Sequence, residues 1–494
     1  MTSSVPHLFD IAVVGAGAAG LFAAIWAGRH VHTSRGSAHT SVDLRPEAGS
    51  SALTDPLRIV IVDGAKKLGA KILVAGGGRC NVTHHAVDEL AFAGASRKSI
   101  RKVLLRFPVE RTIEFFASQG VDLKREDTGK LFPVADQARV VLDAILAATR
   151  DAGVEIRNPW RVGSIAIEPC TSQESTDNQA HGRLPLFRIT RDHAWEVPAS
   201  YSESQLRSGT DHDPTSDNVI FARRVILATG GKSLPKTGSD GLGHTLARAL
   251  GHTITDHVFP ALVPLVTQRD WFISALSGIT LSARIEVISS NGKRISAFTN
   301  STLLTHFGLS GPGVLDISRY LTQARIDDPG VILRLCFLPE QTPEGFDRVL
   351  LDSPRASVAR LLIDQGIPDR LARALCQDAG IDPGAPLHTL DRAYRTALVS
   401  RVMTLVVPVV GDRGYTFAEV TAGGVPLSEI RLETMESRVC PGLHICGELC
   451  DVDGRIGGFN FQWAWASGFV AGSSAAANAI ANEVGTNPVV AKSP

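Results

Sequence analysis

A chain of 494 residues is too long for one compact core, because single cores stop growing near ~250–300 residues, so two or three domains are expected. The composition, 44% hydrophobic and 20% charged, is that of an ordinary globular protein and excludes a disordered or fibrous one. Lysine plus arginine equals aspartate plus glutamate at 50 each, so no bulk charge points to nucleic acid or an acidic membrane.

Phe9 to Val14 reads as a short buried strand and Gly20 to His30 as a helix. Ile11 to Gly28 is uncharged and long enough to raise the question of a membrane span. Asp10 precedes it, no basic stretch leads into it and glycines break its middle, so neither a span nor a signal peptide is expected. Residues 31–57 are polar and read as an inserted loop before the next strand, Arg58 to Asp63. Residues 108–120 and 136–150 carry helical apolar spacing, 162–192 suggest paired strands, and 196–218 are polar enough for a mobile loop. Phe221 to Ala228 is another buried strand.

From 263 the pattern changes. Ile285 to Ile288, Ile295 to Leu304 and Val331 to Phe337 read as strands with turns such as Asn291-Gly292 between them. Residues 343–400 read as short helices, and Val402 to Val410 as a return to strand. The expected organisation is therefore 1–262, a mixed insert at 263–415 that is part barrel or sandwich and part helical, and a return segment at 416–494. In the last of these, Phe461 to about Ala477 reads as a helix beginning near Asn460, a good N-cap type.

Gly15-x-Gly17-x-x-Gly20 lies between a strand and a helix. Gly15 permits the tight turn, Gly17 lets the backbone approach a pyrophosphate, and Gly20 lets helix and strand pack closely. Ala16, Ala18 and Ala19 complete a helix N-terminus that presents unpaired N–H groups to phosphates. Asp63, followed by Gly64, is the candidate partner of the adenosine ribose; the 31–57 insertion accounts for its distance from the glycines. Ala228, Thr229, Gly230 and Gly231 end a second strand in glycines. Gly231-Lys232-Ser233 ends like a P-loop, but that motif needs glycine at 226, where isoleucine stands, so ATP is not expected. One dinucleotide fold is expected, not two.

Lys71 leads into Gly76, Gly77, Gly78, Arg79, Cys80, Asn81 and Thr83. Consecutive glycines suit close approach to a flat ligand, with Arg79, Asn81 and Thr83 as hydrogen-bonding groups. The seven cysteines are scattered, with no C-x-x-C, which points to a cytoplasmic protein and not to a disulfide framework. Cys80 reads as an inert buried thiol, and the C-x3-C pair Cys446 and Cys450 does not read as a catalytic disulfide. Near the C-terminus, Gly447, Glu448, Asp453, Gly457, Gly458, Phe459 and Asn460 form a third constellation, and the helix start beyond it favours an anion. Asp451-x-Asp453-Gly454 lacks the rest of a calcium loop, and no metal is expected.

Six stretches together resemble the bacterial BaiN/YhiN-like NAD(P)/FAD-dependent oxidoreductases: Gly15–Gly20, Gly76–Asn81, Glu126–Pro133, Ala228–Ser233, Thr305–Pro312 and Asp451–Trp463. The resemblance covers nearly the whole chain. It implies an α/β fold, with a Rossmann-like FAD-binding domain that carries an inserted β-barrel and a small helical subdomain. It also implies noncovalent FAD. The 31–57 and 171–218 segments depart from the family pattern. The expected activity is a cytoplasmic FAD-dependent reductase that takes hydride from transiently bound NAD(P)H and passes it to a small organic acceptor such as an enone, with His306 as candidate proton donor. Alternatives are a flavin oxidase of the aminoacetone-oxidase type, or a non-turnover flavin protein in RNA modification or redox sensing. The expected partner is a small molecule, with neither nucleic acid nor membrane.

Overall fold

A computed structural model describes residues 8–36, 56–168, 185–192, 194, 218–353 and 355–485. Cys170, residues 37–55 of the expected insertion and all but Asn218 of the expected 196–218 loop lie outside them. The chain divides into two compact units, one of 1–258 with 422–494 and one of 259–421.

The first unit opens with β1 (Leu8–Val14), α1 (Ala18–Gly36), β2 (Ile59–Val62), α2 (Ala70–Gly78), β3 (Thr83–His84) and β4 (Phe92–Gly94). It continues through α3 (Arg97–Leu104), α4 (Val109–Ser118), β5 (Leu123–Arg125), β6 (Lys130–Pro133), α5 (Ala138–Asp151) and β7 (Glu155–Arg157). Then come β8 (Val162–Glu168), β9 (Leu186–Arg191), β10 (Val219–Leu227) and α6 (Leu242–Ala249). The second unit holds β11 (Phe259–Ala261), β12 (Leu265–Thr267), β13 (Thr280–Ile288), β14 (Arg294–Thr305), β15 (Gly308–Ser310), α7 (Pro312–Asp327) and β16 (Ile332–Cys336). It ends with four helices, α8 (Pro343–Asp352), α9 (Val358–Asp364), α10 (Asp369–Asp378) and α11 (Arg392–Met403), and with β17 (Leu405–Val407) and β18 (Val409–Asp412). The return runs through β19 (Val420–Ala422), β20 (Ile430–Arg431), β21 (Glu436–Ser437), β22 (Leu443–Ile445), β23 (Val452–Gly454) and α12 (Phe459–Gly485).

In the first unit β22, β10, β1, β2 and β7 lie side by side and parallel. Ile11 to Val14, Ile59 to Val62 and Val225 to Leu227 are buried without alternation, as strands covered on both faces must be. Chain order reverses between β1 and β10, and the crevice beyond the carboxyl ends of strands at such a point is where doubly wound sheets bind ligands.

Leu21, Phe22, Ala23, Ala24 and Ile25 are consecutive on α1 and all buried. A helix apolar all round must be covered all round, and α12 supplies the outer cover. The two helices meet through small residues. A Cβ on Gly468 would lie 2.6 Å from the Ala19 carbonyl oxygen, and one on Gly472 would overlap that of Ala23.

In the second unit the sheet runs β17-β16-β13-β14-β15-β12-β18. Its two end strands are consecutive in sequence, separated only by Pro408. One residue spans at most roughly 7 Å between flanking Cα atoms, so the two edges meet and the sheet curls into a barrel. Ile285, Val287, Leu333 and Leu335 fill it, and Phe346, Leu362, Leu375 and Leu398 join α8 to α11 to the same core.

Three local expectations are corrected. Residues 31–36 continue α1 and are not loop. Val402 and Met403 end α11, and strand begins only at Leu405, because both side chains are buried on the helix's inner face. α12 begins at Phe459; the Gln462 N–H donates to the Gly458 carbonyl at 3.0 Å, so Gly458 caps the helix and Asn460 does not.

Gly472→Ala is expected to destabilise the protein by about 1–3 kcal/mol, the range for overpacking a tight core, although alanine is the better helix former. Chemical denaturation measures it. Unchanged or raised stability would contradict the close approach of α12 to Ala23.

Candidate dinucleotide site

The turn after β1 is held on three sides. The Gly15 N–H donates to the Val62 carbonyl at 2.9 Å, and Ala228 N–H donates to Val14 at 2.9 Å. Gly15 adopts a φ of 104°, and a Cβ there would press 2.6 Å from the Ala228 carbonyl oxygen. At Gly20 a Cβ would overlap the Gly15 carbonyl oxygen. At Gly17 it would meet nothing within 4 Å. The three glycines thus serve as turn, open approach and close packing respectively. Ala18, Ala19 and Gly20 form the first helical turn, whose N–H groups have no carbonyl four residues back.

Asp63 directly follows β2 and accepts from the Ala16 N–H and, at 2.6 Å, from the Ala65 N–H. Burial raises its pKa, opposed by those two N–H groups and by Arg161. Arg161 makes an ion pair of 2.6 Å with Asp240, and its Cβ packs where a Cβ on Gly64 would sit 2.7 Å away. Asn158 Nδ2 donates to the carbonyls of Asp63, at 3.0 Å, and Ala65, at 2.8 Å. Arg161, Asp240 and Asn158 had no sequence signal of their own. β7, a three-residue strand whose carboxyl end places Asn158 and Arg161, has too little apolar pattern to be read.

At the other strand end, Gly230 has a φ of 73° and lies against Ser239, and the Gly231 carbonyl accepts from Gly241 N–H at 3.0 Å. Thr229 packs on Gly243, and its hydroxyl is buried with no partner among the described residues. Nε2 of the buried His244, in the first turn of α6, is likewise without one. Burial, with Lys232 and Arg248 nearby, lowers the His244 pKa to about 4, so the ring is neutral at pH 7.

The glycine run ends the regular part of α2. Gly76, Gly77 and Gly78 have φ of 58°, 70° and 85°, are exposed, and at Gly77 a Cβ would meet nothing within 4 Å. Lys71 at the head of α2 pairs with Glu448 at 2.6 Å, which joins two expected site residues from opposite ends of the chain. Arg79 turns to the β5–β6 hairpin. It lies 4.0 Å over the Phe132 ring and 2.6 Å from Glu126, which raises its pKa. Cys80 is fully buried, and burial pushes its thiol pKa up to about 12. Asn81 Oδ1 is buried and unpartnered among the described residues. Thr83 Oγ1 donates at 2.7 Å to the buried Gln462, a residue sequence reasoning missed.

Gly447 lies against Ala19, where a Cβ would come within 2.7 Å of the alanine Cβ. Asp453 is buried in β23. Gly457 faces His84 and Lys130, and Phe459 stacks on the His84 ring at 4.8 Å. A Cβ on Gly458 would sit 2.5 Å from the Thr83 carbonyl carbon, so packing against protein already demands glycine there, whatever else the helix end faces. The Asn460 side chain both donates to and accepts from the Gly454 backbone at 2.8 Å, tying the loop to the helix. His306, on the second unit, is exposed in the turn between β14 and β15.

These residues fit an extended dinucleotide: an open phosphate turn, a carboxylate at the neighbouring strand end, an exposed glycine shelf, and the unpartnered polar atoms of Thr229 and Asn81. The chain matches the HI0933-like protein Rossmann domain family over residues 48–183 and 188–474. It is 32% identical over 472 residues to the 3-dehydro-bile acid delta(4,6)-reductase of Clostridium scindens, spanning 94% of this chain and 98% of that protein. It is 29% identical to the ribosomal RNA dihydrouridine synthase of Escherichia coli, spanning 93% and 96%. To that of Haemophilus influenzae it is 27% identical, spanning 92% and 96%.

Gly17→Val is expected to abolish flavin binding and leave the apoprotein's thermal midpoint unchanged, since the added side chain enters open space. Gly458→Val is expected to lower that midpoint. Flavin absorbance and thermal melts of both variants test this; full flavin retention in Gly17→Val would refute the phosphate-turn assignment. Cys80 and Cys446, both with thiols pushed up to about 12 by burial, are expected to escape iodoacetamide at pH 8 in the native protein. Peptide mapping that finds either labelled before unfolding would refute their burial.

Proposed function

Because the chain belongs to the HI0933-like Rossmann family and is an FAD-dependent oxidoreductase, we propose that it takes hydride from NAD(P)H and reduces a carbon–carbon double bond conjugated to a carbonyl group in a small organic acceptor. The observation that carries this reading is the near full-length similarity to a delta(4,6)-reductase of a 3-dehydro bile acid, whose name specifies double bonds beside a ketone. FAD supplies the hydride chemistry when bound. The Gly15–Gly20 turn would hold its pyrophosphate, Asp63 its ribose, and residues 76–83 with 457–460 its ring end. The half-charge at the start of α12 favours an anion there. With one dinucleotide fold, NAD(P)H binds only in passing. A proton must reach the acceptor carbon beside the carbonyl, and His306 is the proposed donor.

A second reading has uridine in RNA as the acceptor. Two relatives named for dihydrouridine favour it, because dihydrouridine is uridine with one ring double bond saturated next to a carbonyl. Both readings share one reaction class and differ in what presents the double bond.

Anaerobic NADH or NADPH is expected to bleach the flavin, and 2-cyclohexenone to restore its colour faster than oxygen does. Stopped-flow absorbance measures both half-reactions. Rapid reoxidation by oxygen with no response to the enone would refute the reductase reading in favour of an oxidase.

A further inference from the structure

α3 gathers exposed cations against the local charge rules for a helix. Arg97, Lys98, Arg101, Lys102 and, just past its end, Arg106 are exposed, while Ile100, Val103 and Leu104 face inward. Arg97 with Arg101 and Lys98 with Lys102 are like-charged pairs at i,i+4, which repel. Arg97 and Lys98 also stand in the first turn, where the backbone end is already positive and acids are favoured; α3 has no acid there.

Several cations on other exposed helices are paired within their own helix: Arg139 with Asp143 at 2.9 Å, Arg360 with Asp364 at 2.9 Å and Arg373 with Asp369 at 2.8 Å. On α3 only Lys102 is paired, with Glu433. Arg97, Lys98, Arg101 and Arg106 have no carboxylate partner among the described residues. Residues 97–111 hold six basic side chains and one acid, Glu110, in a chain whose charges as a whole balance at 50 each. A row of unneutralised, mutually repelling cations is unstable by local rules, and such violations mark function.

We propose that the exposed face of α3 is a docking surface for the phosphate backbone of RNA. The row extends on the order of 10 Å at helical rise, long enough to face several phosphates of a nucleic-acid strand and longer than one small anion needs. Phosphate contacts of this kind position a substrate and carry no sequence information. The proposal deepens the uridine reading above and rests on it for the choice of RNA over an anionic lipid surface, which the exposed Leu105 beside the row would also suit.

The test uses the FAD-loaded full chain and a fluorescein-labelled RNA hairpin with a uridine-rich loop, followed by fluorescence anisotropy across a salt series. Wild type is expected to bind with a steep salt dependence. The combined variant Arg97→Gln, Lys98→Gln, Arg101→Gln, Arg106→Gln is expected to bind at least tenfold more weakly at ~0.1 M salt, with a log–log slope shallower by about three. Replacing the three arginines by lysine is expected to retain binding. Flavin content and 2-cyclohexenone reduction are expected to be unchanged in both variants, because these side chains point to solvent. Equal RNA affinity in the glutamine variant overturns the proposal and leaves the uridine reading standing. Wild-type protein that does not bind the hairpin overturns both, with enone reduction judging the reductase reading separately. Phosphatidylglycerol vesicles captured by wild type and released by the variant, with RNA binding unaltered, overturn it in favour of a membrane surface.

Discussion

The contact between α1 and α12, made through Gly468 and Gly472 against the Ala19 and Ala23 carbonyls, sets the position of the loops at the candidate site. α1 begins at the phosphate turn, and α12 begins at the loop that follows β23. Once their backbones touch, the two helix starts are fixed relative to each other although more than 430 residues separate them. Other bonds exploit that proximity. Ser467 accepts from the Gly447 N–H at 3.0 Å, Trp463 Nε1 donates to the Gly447 carbonyl at 3.0 Å, and Gly447 lies on Ala19. Trp465 Nε1 donates to the Val82 carbonyl at 2.9 Å and Gln462 takes the Thr83 hydroxyl, so the same helix positions the strand after the glycine run. A single packed surface therefore organises the phosphate turn, the glycine shelf and the return loop.

The sheet and the glycine turn after β1 were legible because their physics is local. A parallel strand covered on both faces is a run of apolar residues, and a turn that must approach a ligand is a run of glycines with a fixed spacing. What could not be read depends on neighbours far away in sequence. Gly458 reads in the sequence only as a member of the third constellation, and its immediate reason is the Thr83 backbone. Asn460 looked like a helix cap, and its amide is spent on Gly454. Arg161 flanks Asp63 only because β7 lies beside β2, and Asp240 reaches Arg161 from the loop before α6; a three-residue strand leaves no periodicity to detect. Closure of the barrel rests on Pro408, which matters only once β17 and β18 are known to be opposite edges of one sheet.

The same distinction governs charge. Equal numbers of acids and bases bound the field of the molecule as a whole, and at physiological salt that field is screened beyond ~8 Å. Within that distance a partner meets only the side chains it touches. Arg79, neutralised by Glu126, and Arg97, with no carboxylate partner among the described residues, count equally in the composition and differ completely as surfaces. A neutral total thus says little about any one face of a chain this size. On the proposed reading, reaction class and substrate class would be set by separate parts of the first unit. The glycine turn after β1 and the glycine run of α2 would determine what chemistry is available, and they follow from motifs. On the proposed reading, what is presented to that chemistry would be selected by surfaces such as α3, whose meaning lies in which charges find partners, a property of the fold and not of the sequence composition.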